Sequence, residues 1–361
     1  MNEATLIIPA AGKSTRFPNM KPKWLLTHPN GKLMVEMVLN GILKDNSFSR
    51  IIITITEEHA NKYEAKLILK QMLEINKIEA EVLVLEDFTQ SASETIKETI
   101  IRKNVNGSFV IKDSDNYIEC KLPQGNFIVG ANLNTKKFEI SNIPEKSFIV
   151  YAKNSGIVND IIEKNIVSDT VSLGIYGVDD IKLFLTSIDK LESTSKRQEH
   201  GEIYISHVIS YMIGMNDELY HYKEVDIYED WGTLEDWKKV QNKNRTYFVD
   251  IDGVIMKNSG KYGSVNWSNN LEELSDNLKS IKNISDKGAQ IFFVTARGKN
   301  DISIVINVLN KYKIKYEAII TNCHHSSRIL INDFCNTNPY PSSSAINLPR
   351  NGKLDEYLKA N

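Results

Sequence analysis

The chain has 361 residues, of which 41% are hydrophobic, so it can bury at least one large core and favours two domains at a prior of roughly 150 residues each. Its 44 Lys and Arg residues balance 46 Asp and Glu residues to a net charge of -2, which excludes a global basic field for nucleic acid or anionic membranes. The chain lacks a membrane-length apolar run, a signal-peptide pattern and a CxxC pair, so we expect a cytoplasmic protein with no membrane insertion and no nucleic-acid partner.

Short apolar runs alternate with amphipathic segments in the first two thirds of the chain. Runs rich in β-branched residues predict strands at residues 6–9, 51–56, 81–85, 109–112, 148–152 and 171–176. Amphipathic spacing predicts helices at residues 34–43, 57–75, 179–191 and 202–213. Because short buried strands that alternate with helices are typical of a covered sheet, we predict an α/β domain with a mixed, mostly parallel sheet.

A charged stretch, Lys-Lys-Val-Gln-Asn-Lys-Asn-Arg at residues 238–245, interrupts this pattern and is interpreted as a linker. The alternation then restarts as strand 247–250, helix 271–287, strand 290–295, helix 301–312 and strands near residues 318 and 329. The sequence therefore predicts two Rossmann-like α/β domains, at residues 1–240 and 246–361.

Small residues and cations follow the first predicted strand, in Pro-Ala-Ala-Gly-Lys-Ser-Thr-Arg-Phe at residues 9–17. Small side chains let backbone N–H groups approach a polyphosphate, which Arg16 and Lys23 can neutralise. Together with Lys-Pro-Lys at residues 21–23, this segment resembles the G-x-G-T-R…P-K motif of sugar-phosphate nucleotidyltransferases, with Ser14 in place of the second glycine. The resemblance implies nucleotide-binding roles for the small residues of the loop, which are Ala11, Gly12, Ser14 and Thr15.

Two acidic segments resemble metal-binding segments of the same family. Asp115, at a predicted strand end, corresponds to the Asp of the family's G-D-N. Asp230 corresponds to the Asp of its W-x-D-x-G-T, with Tyr228 in place of the Trp. The resemblance implies that Asp115 and Asp230 bind Mg²⁺, a hard cation that suits oxygen ligands. Asp113 can be a ligand or a structural residue, and the sequence leaves both interpretations open.

Three further matches follow the family's order within residues 4–240. Glu163-Lys164 resembles the E-K pair that holds the acceptor's phosphate, and Gly174 begins a segment that resembles the family's G-x-Y strand. Gln90 falls where relatives read the base. Since a lone Glu-Lys pair is usually a surface ion pair, these roles depend on the resemblance.

The second predicted domain begins with two carboxylates, Asp250 and Asp252, just past its first strand. Their spacing of two places both on one side of an extended chain. The segment Asp-Ile-Asp-Gly resembles the first motif of haloacid dehalogenase phosphatases, D-x-D-G. Val-Thr-Ala-Arg-Gly at residues 294–298 resembles the second motif, Ile-Asn-Asp at residues 331–333 resembles the acidic fourth, and Arg328 is the candidate cation of the third.

This second resemblance implies phosphate-ester hydrolysis. Asp250 would attack phosphorus to form an aspartyl phosphate, and Asp252 would protonate the leaving alcohol and then activate water. Thr295 and Arg328 would hold phosphoryl oxygens, and Asp333 would join Asp250 and Asp252 around Mg²⁺. Too few residues separate Asp252 from Thr295 for a large cap, so we expect a haloacid dehalogenase-like domain with little or no cap.

The favoured interpretation is a bifunctional, Mg²⁺-dependent enzyme. It would transfer a nucleotidyl group from an NTP of the CTP or UTP/dTTP type to a sugar 1-phosphate or similar small molecule, and hydrolyse a phosphate monoester, in capsule or surface-glycan precursor synthesis. The alternatives are a cytidylyltransferase for a phospho-alcohol, phospho-amine or phospho-amino acid, and one active domain beside a nucleotide-sensing domain. The sequence leaves open the base, the acceptor, the order of the steps and the oligomeric state, a homo-oligomer included.

Overall fold

The computed structural model describes residues 4–194, 202–216, 218–258, 272–333 and 342–358. The chain divides into two compact units, Met1–Trp237 and Lys238–Asn361. Within the described ranges, none of the helices has the length and apolar character needed to cross a bilayer.

The first unit contains a nine-stranded mixed sheet and a separate two-stranded sheet. Its strands are β1 (Thr5–Pro9), β2 (Arg50–Thr56), β3 (Glu81–Leu85), β4 (Phe109–Lys112), β5 (Asn116–Glu119), β6 (Phe127–Asn132), β7 (Ser147–Tyr151), β8 (Ile157–Glu163), β9 (Thr170–Val178), β10 (Tyr220–Glu224) and β11 (Ile227–Asp230). The large sheet has the order β3-β2-β1-β4-β9-β6-β10-β8-β7, and β11 pairs with β5 in the small one. In the large sheet β8 and β9 run opposite to the other strands, so the sheet is mixed and mostly of one direction.

The helices of the first unit are α1 (Met34–Leu43), α2 (Glu57–Lys62), α3 (Ala65–Asn76), α4 (Ala92–Arg102), α5 (Ile181–Ser193), α6 (Ile205–Asn216) and the start of α7 (Leu234–Lys243). The segment predicted as one helix at residues 57–75 is divided, because Glu64 takes a left-handed φ of +51° between α2 and α3. A residue in that conformation cannot continue a right-handed helix.

The parallel part of the sheet fixes the position of the candidate site. In β1, β2 and β4 almost every side chain is buried, as expected for strands covered on both faces. β1 pairs in parallel with β2 on one side and with β4 on the other. Because parallel strands end at the same edge of a sheet, the loops after β1 and β4 lie next to each other there.

The second unit contains a three-stranded parallel sheet of β12 (Thr246–Asp250), β13 (Gln290–Val294) and β14 (Ala318–Ile320), in that order. Its helices are the remainder of α7, α8 (Ser275–Asp286), α9 (Ser303–Lys311) and α10 (Asp355–Leu358). Fully buried apolar side chains such as Ile291, Phe293 and Leu278 form its core, and burying each contributes about 1.5–3 kcal/mol.

One sequence prediction for this unit was wrong. No strand forms at residues 329–331, where Ile329 and Ile331 are more than four-fifths exposed. An apolar run meets the sequence criterion for a strand, but a strand also needs a neighbouring strand to pair with. The segment predicted as a linker, residues 238–245, is mostly the helix α7, which carries the boundary between the units. Residue 271, the predicted start of α8, lies outside the described residues.

Candidate functional site

The loop after β1 has the open backbone that a polyphosphate site needs. A Cβ placed on Gly12 would meet nothing within 4 Å, and Ala11 beside it is buried. Ser14 takes a left-handed φ of +51°, a conformation that glycine, the residue at this place in the motif that the loop resembles, adopts without strain. The Ser14 hydroxyl oxygen accepts a hydrogen bond of 3.3 Å from the Lys23 backbone N–H, which ties the loop to the segment that carries Lys23. Thr15, next along the loop, is exposed.

Lys23 is held at one turn of 3₁₀ helix, Lys23–Leu25, that follows Pro22. Trp24 and Leu25 are buried and anchor this turn in the core. The Lys23 ammonium donates to Asp115 Oδ2 at 2.5 Å. The loop after β1 and the loop after β4 are therefore joined by an ion pair.

Asp115 and Asp230 meet although they are far apart in the sequence. Asp230 ends β11 and lies opposite Asn116, the first residue of β5, in the antiparallel ladder. A Cβ built on Gly232 would lie 3.2 Å from Asp230 Oδ1, 3.3 Å from Asp115 Oδ2 and 3.8 Å from Arg16 Nη1. Two carboxylates and the guanidinium of Arg16 thus converge on one point, where a Cβ would be in tighter than ordinary van der Waals contact with both carboxylates.

A third cation, Lys146, belongs to this cluster and was missed by the sequence analysis. Its ammonium pairs with Asp230 Oδ2 at 2.5 Å. The other oxygen of Asp230 accepts the Gly232 N–H at 3.0 Å, so both oxygens have partners. Lys146 precedes β7 and lies in no motif, and the sequence gives no signal that could have found it.

The charges of the cluster keep Asp115 ionised. Burial alone would raise the pKa of Asp115, but Lys23 and Arg16, followed by Lys146, outweigh burial and hold that pKa below its ordinary value. An ionised carboxylate is the form that binds a divalent cation.

Lys112, to which the sequence analysis gave no role, supports the loop between β4 and β5. Lys112 is fully buried, and its ammonium donates to the Asp113 carbonyl at 2.7 Å, to the Asn116 carbonyl at 3.1 Å and to the Asn116 side-chain oxygen. Burial lowers the pKa of Lys112 and, with repulsion from Asp115, raises that of Asp113. These bonds fix the residues on either side of Asp115.

Gly174 and Asp113 are in close contact. Gly174 has a φ of +76°, and a Cβ there would lie 2.1 Å from Asp113 Oδ2. Its carbonyl also accepts the Asp113 N–H at 2.9 Å. This contact gives Gly174 and Asp113 a structural part in the loop that carries Asp115.

Glu163 and Lys164 lie at the end of β8, next to the start of β7. Glu163 Oε2 accepts hydrogen bonds from the hydroxyls of Ser147 and Ser206. The Lys164 ammonium donates to the Tyr204 hydroxyl at 2.9 Å and pairs with a carboxylate, that of Glu145, at 3.1 Å. The hydrogen bond with the Tyr204 hydroxyl is the largest of the effects that raise the pKa of Lys164.

Gln90 is at the start of the segment that leads into α4. Its N–H donates to Glu94 Oε2 at 2.6 Å, and the Ser91 hydroxyl caps the helix by accepting the Glu94 N–H at 3.1 Å. Gln90 is exposed, and its role as a base-reading residue stays a prediction.

In the second unit Asp250 is the last residue of β12, and Asp252 lies two residues beyond it. Arg328 donates to Asp250 Oδ1 at 3.3 Å, and the Ile251 N–H donates to the same oxygen at 2.9 Å. Burial raises the pKa of Asp250 above its ordinary value, with Arg328 acting in the opposite direction.

Arg297 holds Asp252 through two hydrogen bonds, from Nε at 3.0 Å and from Nη2 at 2.7 Å. Arg297 is fully buried, and its Nη1 has no partner among the described residues. Thr295 at the end of β13 is also buried, and its hydroxyl oxygen accepts the Arg297 N–H at 3.1 Å. The strand ends therefore place Thr295 and Arg297 in one network with Asp252.

Asp333 is exposed, and its backbone carbonyl accepts a bond from the Ser342 hydroxyl at 2.9 Å. Within the described ranges, no three or more His, Cys, Asp or Glu side chains are grouped so as to hold a metal ion. The metal-binding role of Asp333 stays a prediction.

Comparison with known proteins adds information on the fold. No protein-family model matches the chain, and no curated protein matches it with significance. The structure is similar to a nucleoside-diphosphate-sugar pyrophosphorylase from Vibrio cholerae RC9, with a TM-score of 0.55, 18% identity and coverage of 65% of this chain and 98% of that one. It is also similar to UDP-glucose pyrophosphorylase complexed with UDP-glucose, with a TM-score of 0.50, 14% identity and coverage of 66% and 97%. About two thirds of this chain, a share close to the length of its first unit, therefore has the fold of sugar-nucleotide pyrophosphorylases.

Proposed function

We propose that the first unit transfers a nucleotidyl group from an NTP to the phosphate of a sugar 1-phosphate or a similar small molecule and releases pyrophosphate. The observation that carries this proposal is the convergence of Asp115 and Asp230 beside Arg16 and Lys23, on the loop edge of a pyrophosphorylase-like fold. Carboxylates and fixed cations at one point suit a reaction between two phosphate groups, in which negative charge must be brought together.

The donor set fits Mg²⁺. Asp115 and Asp230 offer two hard carboxylates at one point, and Mg²⁺ is usually held by one or two carboxylates while waters and substrate phosphates fill its other positions. A closed protein cage is therefore not required. When bound there, Mg²⁺ would neutralise charge on the phosphate oxygens of the nucleotide.

The chemistry needs no protein nucleophile. An oxygen of the acceptor's phosphate attacks the α-phosphorus of the NTP, the bond from that phosphorus to the β-phosphate oxygen breaks, and pyrophosphate leaves with the electron pair. Arg16 would clamp the triphosphate and Lys23 the transferring phosphoryl region. The backbone of Gly12 and Ser14 would donate to the polyphosphate. In this proposal Gln90 reads the base.

Two variants test these assignments against the wild type. Lys23→Ala and Arg16→Ala should keep the fold but lower turnover by about 10²-fold, the scale of losing one preorganised charge-stabilising group. Near-normal pyrophosphate release from every accepted substrate would remove Arg16 and Lys23 from the site.

A second candidate for the same site is transfer of CMP to a phosphorylated alcohol, amine or amino acid. The same carboxylates and cations serve that reaction, since it differs only in the base and in the group behind the acceptor's phosphate. A panel of sugar 1-phosphates and phospho-alcohols against all NTPs, read as pyrophosphate release, separates the two candidates.

For the second unit we propose phosphate-ester hydrolysis. Asp250 at the end of β12 would attack phosphorus, and Asp252 would act as acid and then as base. The pairing of Arg328 with Asp250 supports phosphate binding at this strand end. The competing proposal is that one unit is a nucleotide sensor, which would bind NTP in a calorimetric titration without releasing pyrophosphate.

The two activities together suit the synthesis of an activated precursor for a capsule or surface glycan. One step would remove or trim a phosphate and the other would activate an anomeric phosphate. We place the protein in the cytoplasm, where NTP is available.

A further inference from the structure

The turn after β12 carries Asp252, the proposed acid and base of the second unit. The Ile251 carbonyl accepts the Met256 N–H at 3.0 Å, and the Gly253 N–H donates to the Met256 carbonyl at 2.6 Å. Gly253 has a φ of +91°, a conformation that favours glycine, so the chain changes direction just after Asp252. The turn is therefore compact, and Asp252 lies within it.

A polar side chain of the neighbouring helix holds this turn. Asn277 lies in α8 and is 3% exposed. Its amide nitrogen donates to the Val254 carbonyl at 2.7 Å and to the Gly352 carbonyl at 2.8 Å, and its oxygen accepts the Leu354 N–H at 2.8 Å. Since a buried amide is costly unless its hydrogen bonds are made, these three bonds fix how the turn and the C-terminal segment meet.

The C-terminal segment at residues 348–354, called the strap below, also bonds to the turn directly. The Asn351 N–H donates to the Gly253 carbonyl at 2.9 Å. The Asn351 side chain accepts the Asn258 N–H at 2.8 Å and donates to the Asn258 carbonyl at 3.2 Å. Leu354, at the end of the strap, is buried in the core of the second unit. The strap is thus anchored in the core and bonded to the turn that carries Asp252.

Asp252 has two supports, one for its side chain and one for its backbone. Arg297, which is fully buried, donates from Nε and Nη2 to the two carboxylate oxygens. The turn, with Asn277 and the strap bonded to it, fixes the backbone from which this carboxylate projects. A catalytic group works well only when it is held within about 0.5 Å of its productive position, so both supports matter.

We propose that Asn277 and the strap are positioning elements of the hydrolase site, which act through the turn that carries Asp252. This inference rests on the hydrolysis proposed for the second unit, and it adds a segment that lies outside the motifs found in the sequence. Asn277 and the strap touch neither the substrate nor the reacting atoms in this proposal. Their effect is on the orientation of the acid.

The step that this support should affect is the departure of the alcohol. An oxygen of Asp250 forms a bond to phosphorus, and the bond from phosphorus to the ester oxygen breaks. The ester oxygen keeps the electron pair and takes the proton of Asp252. A weakly acidic alcohol needs this proton, whereas 4-nitrophenol leaves readily as an anion. A displaced Asp252 should therefore slow the cleavage of an ester of a weakly acidic alcohol more than that of a 4-nitrophenyl ester.

The test compares phenyl phosphate with 4-nitrophenyl phosphate as substrates of the full chain, with Mg²⁺ present. The measured quantity is kcat/KM, which covers the steps up to departure of the leaving group. For Asn277→Ala we expect kcat/KM to fall by about tenfold or more with phenyl phosphate and by no more than about threefold with 4-nitrophenyl phosphate. Asn283→Ala, at an exposed position of the same helix, is the control and should leave both values within about twofold of wild type.

Asn351→Gly is the second variant if thermal melting shows that Asn277→Ala does not fold. Glycine suits the left-handed φ of +61° at this position and keeps the backbone N–H, so the change removes the two bonds to Asn258. It should lower the ratio of kcat/KM for phenyl phosphate to that for 4-nitrophenyl phosphate by about threefold.

An equal loss with both esters in the folded variants would overturn the inference, because an enzyme that is merely destabilised loses both activities alike. Failure of the proposed hydrolysis has a different result, namely wild-type protein that cleaves neither ester.

Discussion

The Trp231 N–H donates to the Asp115 carbonyl at 3.1 Å, one residue after Asp230 ends its strand. This single bond continues the β5–β11 ladder and brings the two carboxylates of the first unit to one point. The backbone pairing of β5 with β11, and not the side chains alone, therefore places Asp115 next to Asp230.

Replacing Gly232 with alanine should displace the carboxylates of Asp115 and Asp230 where they meet. The new Cβ would lie 3.2 and 3.3 Å from the oxygens of Asp230 and Asp115, which is tighter than ordinary van der Waals contact. We expect Gly232→Ala to stay folded and to raise the Mg²⁺ concentration for half-maximal pyrophosphate release by about tenfold, as displaced ligands do. Gly214→Ala is the control, because nothing lies within 4 Å of that position in α6 and alanine there should stabilise the helix by about 0.5–1 kcal/mol. An unchanged Mg²⁺ dependence in Gly232→Ala would contradict the metal assignment.

Lys112→Met should destabilise the first unit. Methionine fills a similar volume but donates no hydrogen bonds, which leaves the carbonyls of Asp113 and Asn116 without this donor. We expect a loss of about 1–3 kcal/mol in the free energy of unfolding, measured with urea. Lys121→Met, at an exposed position just after β5, should change it by less than about 0.5 kcal/mol. Equal stability of the two variants would show that the Lys112 bonds contribute nothing.

His59 should make stability fall with acidity. Burial between Trp24 and Phe88 lowers the pKa of His59 from 6.5 to about 4, and its Nδ1 has no partner in the described part of the chain. Because the folded-state pKa lies below the unfolded one, protonation favours unfolding. The stability that neutral, buried His59 contributes is fully present above pH 6.5. It is lost as the pH falls towards 4, which lowers the free energy of unfolding by up to about 3 kcal/mol.

The difference in unfolding free energy between wild type and His59→Phe isolates this effect from the carboxylates. That difference should change between pH 6.5 and 4 and be constant above pH 7. The exposed His221 serves as control, since His221→Gln should leave the profile of the wild type unchanged. A pH-independent difference for His59→Phe would mean that His59 is not buried in its neutral form.

In the second unit Arg297→Lys should impair the proposed hydrolysis without affecting the proposed transfer. Lysine cannot form the paired bonds from Nε and Nη2 to Asp252, so the proposed acid and base would lose its orientation. We expect phosphate release to fall by about tenfold or more while pyrophosphate release continues.

Asp250→Asn should abolish phosphate release, because an amide cannot form the acyl phosphate. Phosphatase turnover that survives Asp250→Asn would reject the haloacid dehalogenase assignment.

Much of the parallel half of the fold could be predicted from local pattern. The strands β1 to β4 were predicted within one residue of their bounds, because each is a short, continuous apolar run. The strands β5, β6, β8, β10 and β11 were not predicted. β10, Tyr-His-Tyr-Lys-Glu, shows why, since its polar side chains carry no apolar run and its pairing with β6 and β8 is a tertiary property.

The candidate site was predictable where residues lie in a motif. Asp115, Asp230 and Lys23 come together as expected from segments that each resemble a family motif. Lys146 and Lys112 were missed, because a lysine before a strand or inside one is locally no different from a solvated surface charge. Only the three-dimensional contacts with Asp230 and with the loop around Asp115 identify these two residues.

The most direct test of the account is Mg²⁺-dependent pyrophosphate release by wild type and by Asp115→Asn, across all NTPs and a panel of sugar 1-phosphates and phospho-alcohols. We predict that wild type releases pyrophosphate with at least one pair, only when both substrates and Mg²⁺ are present. Asp115→Asn, which replaces a carboxylate that Lys23 and Arg16 keep ionised, should lower that rate by about 10²-fold or more while phosphate release by the second unit persists. Pyrophosphate release by Asp115→Asn at the wild-type rate, or none from wild-type protein with any pair, would contradict the proposed nucleotidyl transfer.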